Sequence, residues 1–196
     1  MEEGYIKFQC LRTEQTLSIS DQILDEINEV RNQLLEYGMV GKIPHGPGFG
    51  NLSVRMADQT FLITGSDTGG FRSLKKCHFS LVTRVDLKNN KVWCSGEIDA
   101  SSESMSHAMV YQADPQLNAA IHIHHHMLWK RGLNKLATTP RTVEYGTPEL
   151  ANAIKEFISF RQTAIVFGGH TDGLLFCGKE LKETLQSIMN LYRSIG

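Results

Sequence analysis

The first regular pattern in the chain is "SDQILDEINEVRNQLLEYG". There Ile23, Leu24, Ile27, Val30 and Leu34 recur at the period of an amphipathic helix. Ser20 offers its N-cap and Gly38 its C′ stop. Residues 1–19 carry no such period and are expected to form an irregular arm. After the loop "GKIPHGPGFG" the pattern changes to strands: "NLSVRM" and "TFLIT" predict one hairpin. "FSLVTRVDL" and "KVWCSG" predict a second, joined through Asn89 and Asn90, which tolerate a left-handed turn. "SSESMSHAMVYQADP" predicts a helix capped by Ser101 or Ser102 and stopped before Pro115. "NAAIHIHHH" predicts a strand, and "GTPELANAIKEFISF" a helix with Thr147 as cap and Pro148 in the first turn. "TAIVFGG" and "GLLFC" predict strands, and "KELKETLQSIMNLYRSI" a closing helix. Hairpins precede most of the helices. The expectation is therefore an α/β domain with a mixed, mostly antiparallel sheet, not a doubly wound parallel one.

No low-complexity run, repeat or linker divides the 196 residues, so one domain is expected over 1–196, with 1–19 as its arm. Hydrophobic residues make up 41% and charged residues 21%, which fits a globular core. A net charge of −1 with no basic run removes the electrostatic case for nucleic acid or an anionic membrane. No apolar run is long enough to span a bilayer, and "MEEGYIKFQC" is acidic without an apolar core, so no signal peptide is read there. Cys10, Cys77, Cys94 and Cys177 are dispersed with no CxxC pair. These features point to a reducing, cytoplasmic setting.

The chemistry concentrates in "IHIHHHML", which holds four of the eight histidines. On a strand, alternate side chains share a face. His122, His124 and His126 would share one face and His125 the other. Residues two apart lie about 6.6 Å apart along a strand, close enough for both imidazoles to reach one ion through bonds of about 2.1 Å. Residues four apart, at about 13 Å, are not. One straight strand thus supplies two ligands. The clean strand character around 122 and 124 favours that pair over 124 and 126. The third ligand must come from elsewhere. His170, at the end of "AIVFGG", is favoured, with His45, His78 and His107 as competitors.

"DASSESMSH" sets two serines and Glu103 at a helix start, where free N–H groups and the helix dipole favour an anion. Helix capping accounts for the same residues, and His107, four residues on, shares a face with Glu103. "GPGFGN" is no dinucleotide loop, because no strand leads into it and a strand follows. With "ITGSDTGG" it is a glycine-rich turn able to expose N–H groups. No P-loop, HExxH or GxSxG is present.

"GNLSVR", "FLITGSDTGG", "SSESMSHAMVYQADPQLNAAIHIHHH", "YGTPELANAI" and "GGHTDG" follow one another as in the class II aldolase/adducin family, which the chain resembles over roughly residues 20–195. The resemblance implies a three-layer α/β/α fold. It implies a divalent metal, usually zinc, held by His122, His124 and His170, and Glu103 as the acid/base. It implies phosphate binding by Gly50 and Asn51, Thr68 and Gly69, and Ser101 and Ser102, with Thr64 and Gly65 a rival for the middle pair. The activity it implies is a lyase that cleaves a C–C bond in a phosphorylated sugar or related hydroxy-carbonyl compound through a metal-stabilised enediolate, in a homotetramer.

The chain departs from the family pattern in places. "HTDG" is two residues longer than the usual His-Gly, and Ala100 stands where proline is usual. The catalytic tyrosine, supplied across a subunit interface, has no match. Tyr145, Tyr192 and Tyr111 are candidates by type only, with a core or surface role favoured for each. Dehydratases and epimerases of the same fold are rival readings, although epimerases tend to carry aspartate where Glu103 stands. A non-catalytic adducin-like module is the rival outside enzymes. Retention of the histidines and Glu103 argues against it.

Overall fold

The structure, a computed structural model, describes residues 5–194. Its strands in chain order are β1 (Gln9–Thr13), β2 (Gly41–Lys42), β3 (Gly48–Phe49), β4 (Asn51–Ala57), β5 (Thr60–Thr64), β6 (Phe79–Asp86), β7 (Lys91–Gly96), β8 (Ala119–His124), β9 (Ala137–Thr138), β10 (Ala164–Val166) and β11 (Gly173–Gly178). The helices are α1 (Asp21–Glu36), α2 (Ser104–Ala113), α3 (His126–Gly132), α4 (Pro148–Ser159) and α5 (Leu181–Ser194). Nine strands form one sheet in the order β1-β7-β6-β5-β4-β8-β11-β10-β9, and β2 and β3 pair separately. Only the outermost pairings, β1 with β7 and β10 with β9, are parallel. The expected mixed, mostly antiparallel α/β architecture is what the chain adopts.

Local chemistry starts most of these elements. The Ser20 hydroxyl accepts the Ile23 N–H at the start of α1, and Gly38 follows its end at φ 64°. Thr147 accepts the Leu150 N–H ahead of Pro148. Asn90 takes φ 52° in the β6–β7 turn.

The pleat then sorts β8 into two faces. Ile121 and Ile123 pack with α1 and α5 through Ile27, Val30, Leu34, Leu185 and Ile188. Ala120, together with Leu175 of the neighbouring β11, packs with α2 and α4 through Met105, Met109, Ala151 and Ile154. Helices therefore cover both faces of the sheet. Burying each large aliphatic side chain contributes roughly 1.5–3 kcal/mol. Ile121 and Ile123, both fully buried, fix the register of β8 and with it the face on which His122 and His124 emerge.

Three expectations need correction. Residues 1–19 are not irregular throughout, because Gln9–Thr13 adds a parallel edge strand, with Gln9 opposite Lys91 and Thr13 opposite Ser95. Residues 1–4 of that arm lie outside the described residues. Neither Ser101 nor Ser102 caps α2. The serines form a preceding turn in which the Ser101 carbonyl accepts the Ser104 N–H, and Glu103 occupies the cap position without a side-chain cap bond. The strand expected over 118–126 ends at His124. His125 becomes the N-cap of α3, its Nδ1 accepting the Leu128 N–H at 3.2 Å. No helix among the described residues is long and apolar enough to cross a membrane.

Candidate functional site

His122 and His124 leave β8 on the α2/α4 side at the strand's C-terminal end, flanked by β4 and β11. His122 sits opposite Asn51 on one neighbour and Leu175 on the other. Their Nε2 atoms lie 3.0 Å apart. His170, in the loop between β10 and β11, brings its Nε2 to 3.2 Å from that of His124. All three rings are buried, and their ligand atoms lie within 4.8 Å of one another. The 168–170 loop fits its place because Gly168 and Gly169 carry no Cβ; one at Gly169 would meet the Val143 carbonyl at 2.1 Å.

The donor set fits a divalent ion. His122 Nδ1 donates to the Leu174 carbonyl at 3.0 Å, which leaves Nε2 with its lone pair. His124 Nε2 can carry one proton at most while neutral, so it cannot satisfy both 3.0 and 3.2 Å contacts in line. At least one contact therefore lacks a hydrogen bond. A shared cation removes that conflict. Two zinc–nitrogen bonds of about 2.1 Å at a tetrahedral angle would put the nitrogens about 3.4 Å apart, close to the 3.0 and 3.2 Å of two of the three pairs. Burial also keeps the imidazoles neutral. Desolvation pulls His122 down to about 4 and His170 to about 3, and holds His124 well below its ordinary value.

A cleft of about 400 Å³, partly open to solvent, runs from these histidines. Gly50, Asn51, Thr68, Gly69, Ser101 and Ser102 line it beside Glu103, so three separate loops meet there. Gly50 holds φ 73°, and a Cβ on it would meet Val40 Cγ1 at 2.6 Å. Gly65 also lines the cleft, but Thr64 does not. The Thr64 hydroxyl is buried and accepts the Leu52 N–H. Asn51 Oδ1 is buried without a hydrogen-bond partner among the described residues.

Glu103 is 2% exposed. Its Oε2 accepts the Ser106 hydroxyl at 2.5 Å, and Oε1 meets no donor at ordinary geometry. Burial raises its pKa to about 7. The Ser106 hydroxyl, the Gly146 N–H and Lys7 each pull the other way. A carboxyl poised near neutrality can both take and give a proton. The ligand-atom cluster itself contains the three histidines and not Glu103.

The competitors for the third ligand lie elsewhere. His45 is exposed and His78 half-buried. His107 is fully buried with its Nδ1 2.6 Å from Ser53 Oγ, and Ser53 in turn contacts the Tyr111 hydroxyl. The "HTDG" excess does not displace His170. Asp172 adopts φ 69° and its carboxylate takes His126 Nδ1 at 2.8 Å, so the extra residues turn outward.

Lys7 and Phe49, near the cleft, were not singled out in the sequence, and Tyr145 was a candidate by type only. Tyr145 lines the cleft, its ring centroid 4.6 Å from that of His170. The Lys7 ammonium lies 4.0 Å from the centroid of the Tyr145 ring and pairs with Glu144 at 2.8 Å. Phe49 stands edge-on to His124. A tyrosine two residues before the Thr147 cap was the available signal for Tyr145. Lys7 left none, because its place depends on the pairing of β1 with β7.

The fold recurs in solved structures. YgbL from Klebsiella pneumoniae, whose reaction is left open among aldolase, epimerase and decarboxylase, aligns at 21% identity over 91% of this chain and 89% of its own, with a TM-score of 0.67. The L-fuculose-1-phosphate aldolase from Thermus thermophilus aligns at 20% identity over 90% of this chain and 98% of its own, with a TM-score of 0.60. The sugar-phosphate aldolase from Thermotoga maritima aligns at 16% identity over 89% and 92%, with a TM-score of 0.67. At such identities the likeness speaks for the fold alone. No curated protein matches the sequence. The family model of the class II aldolase and adducin N-terminal domain matches residues 27–195, most of the chain, and the protein belongs to that family.

Proposed function

We propose that this protein is a metal-dependent lyase that cleaves a C–C bond in a phosphorylated sugar or related hydroxy-carbonyl compound. The observation that carries the reading is three neutral imidazole Nε2 atoms converging at one end of a cleft that also holds a buried carboxyl poised near neutrality. His122, His124 and His170 would hold the ion, and three nitrogens with a further open position suit zinc. When bound, the ion would supply Lewis-acid polarisation of the substrate's carbonyl and adjacent hydroxyl oxygens.

The chain's own residues do the rest. Gly50, Asn51, Thr68, Gly69, Ser101 and Ser102 take the phosphate and set the substrate's register against the histidines. The free amides at the start of α2 add to their donors. Glu103 moves the proton, and its surroundings in the cleft keep it near half-protonated at neutral pH. The polar lining of the cleft supplies fixed donors for the charge that develops as the bond breaks. A homotetrameric assembly accompanies this reading.

The decisive experiment is a screen of zinc-loaded protein against phosphorylated ketoses, following aldehyde release. Scission of at least one supports the lyase. Water loss or inversion without scission would move the assignment to the dehydratases or epimerases. A folded protein that takes up no metal and turns over no member of the panel would leave the adducin-like binding module.

A further inference from the structure

Helix α1 turns Arg31 inward beside Ile27, Val30 and Leu34, and leaves it 2% exposed. Among the described residues its guanidinium makes three hydrogen bonds, all to carbonyl oxygens of one turn. Nη1 donates to Phe71, and Nη2 donates to Thr68 at 2.9 Å and Gly69 at 2.6 Å. No carboxylate faces it among the described residues. Asp67, the acid of the same turn, is bound instead by the Gly48 N–H and Lys42. A guanidinium is seldom fully buried without an acidic partner. Desolvation, with no opposing charge, pulls its pKa down to about 10.

The turn it grips carries Thr68 and Gly69, which line the cleft. In a trans peptide the C=O and the following N–H point in opposite directions. With the Thr68 carbonyl drawn towards Arg31, the Gly69 N–H faces away from the guanidinium. Gly69 is buried, yet its N–H donates to no other described residue. A side chain there is excluded, because a Cβ would meet the Gly41 carbonyl at 2.1 Å. A buried donor without an acceptor and a buried cation without an anion therefore flank the same peptide.

We propose that Arg31 is a positioning residue for anion recognition. It fixes the Thr68–Gly69 turn with the Gly69 N–H presented to the ligand, and it supplies from behind the turn the positive charge that a phosphomonoester dianion balances. This rests on the phosphate reading of the cleft and adds a selectivity to it: dianions bind in preference to singly charged or neutral groups.

The test uses the full chain, inorganic phosphate as the probe, and the variants Arg31→Met and Arg31→Lys. Calorimetric titration gives Kd, and thermal unfolding with and without phosphate gives the phosphate-dependent rise in Tm. Arg31→Met should bind phosphate more than about tenfold more weakly and lose most of that rise, with zinc content unchanged. Arg31→Lys, which keeps the charge but not the three-way grip, should fall between it and the wild type. A merely structural arginine would lower Tm equally with and without phosphate and leave Kd alone, and that result overturns the proposal. A wild type indifferent to phosphate overturns both this proposal and the sugar-phosphate reading. Should Arg31→Met fail to fold, exchange of the Gly69 amide in the wild type decides. Phosphate must slow it, and an unchanged rate sinks the idea.

Discussion

His122 and His124 project from β8 into a buried cluster with Nε2 atoms 3.0 Å apart, whereas His125 and His126, the next two residues, begin α3 and take partners outside it. His125 caps a helix, and His126, its side chain 59% exposed, pairs with Asp172. All four share one residue type and one short segment. What separates them is where the sheet stops. Inside the strand, the pleat and the burial of Ile121 and Ile123 aim two imidazoles at a point. One residue later the backbone bends, and the same side chain satisfies a helix terminus.

The sharpest way to break this contrast is to remove one ring from each side. His122→Ala should reduce bound zinc from about one per chain to a trace and abolish turnover. Its affinity should fall by more than the roughly 100-fold that loss of a mere outer-shell partner costs. His126→Ala should keep the zinc. Elemental analysis after dialysis reads both, and equal zinc in the two variants would end the distinction. Glu103→Gln separates holding the ion from moving the proton. We expect turnover to drop about 10²–10⁴-fold with zinc and phosphate binding retained, and undiminished kcat would remove Glu103 from its role.

Acid should act through the buried histidines. In metal-free protein His122, at about 4, and His107 and His170, at about 3, titrate well below their ordinary 6.5, with His124 lowered too. Between those values and 6.5 the unfolded chain binds more protons than the folded one, so stability falls as pH falls below about 6.5. Glu103 opposes this between 4.5 and about 7, where the folded state holds its proton, but it is one group against four. The net loss should reach at least about 1.4 kcal/mol per pH unit between pH 6 and 5, the worth of one proton. Urea midpoints with a chelator present would measure it, and a flat profile would show the rings to be hydrated. The smallest effect belongs to His125→Ala. Losing the cap on a seven-residue helix should cost about 1 kcal/mol, with zinc unaffected.

The readable parts of the chain were those governed by neighbours in sequence. Ser20, Thr147, Pro148 and Gly38 mark helix ends through bonds spanning a few residues, and Asn90 marks a turn by its own φ. The hairpins β4–β5 and β6–β7 are local for the same reason. His122 and His124 were legible because a strand's period of two is fixed by the backbone. Strand β1 was not, because Gln9 owes its conformation to Lys91 far downstream. Nor was α3, whose start at His126 competes with continuing the strand and is decided by the cap that His125 provides.

By itself, then, the sequence determined an α/β chain with two imidazoles on one strand face, a carboxylate at a helix start and glycine-rich turns between strands, each set by short-range stereochemistry. Which third histidine joins them, which threonine–glycine pair reaches the cleft, and how Tyr145, Lys7 and Arg31 come to surround it were decided by tertiary structure. Those positions depend on sheet order and on packing between segments tens of residues apart. The energy that selects them, burial of apolar faces against one another, is a property of the assembled layers and of no single stretch of chain.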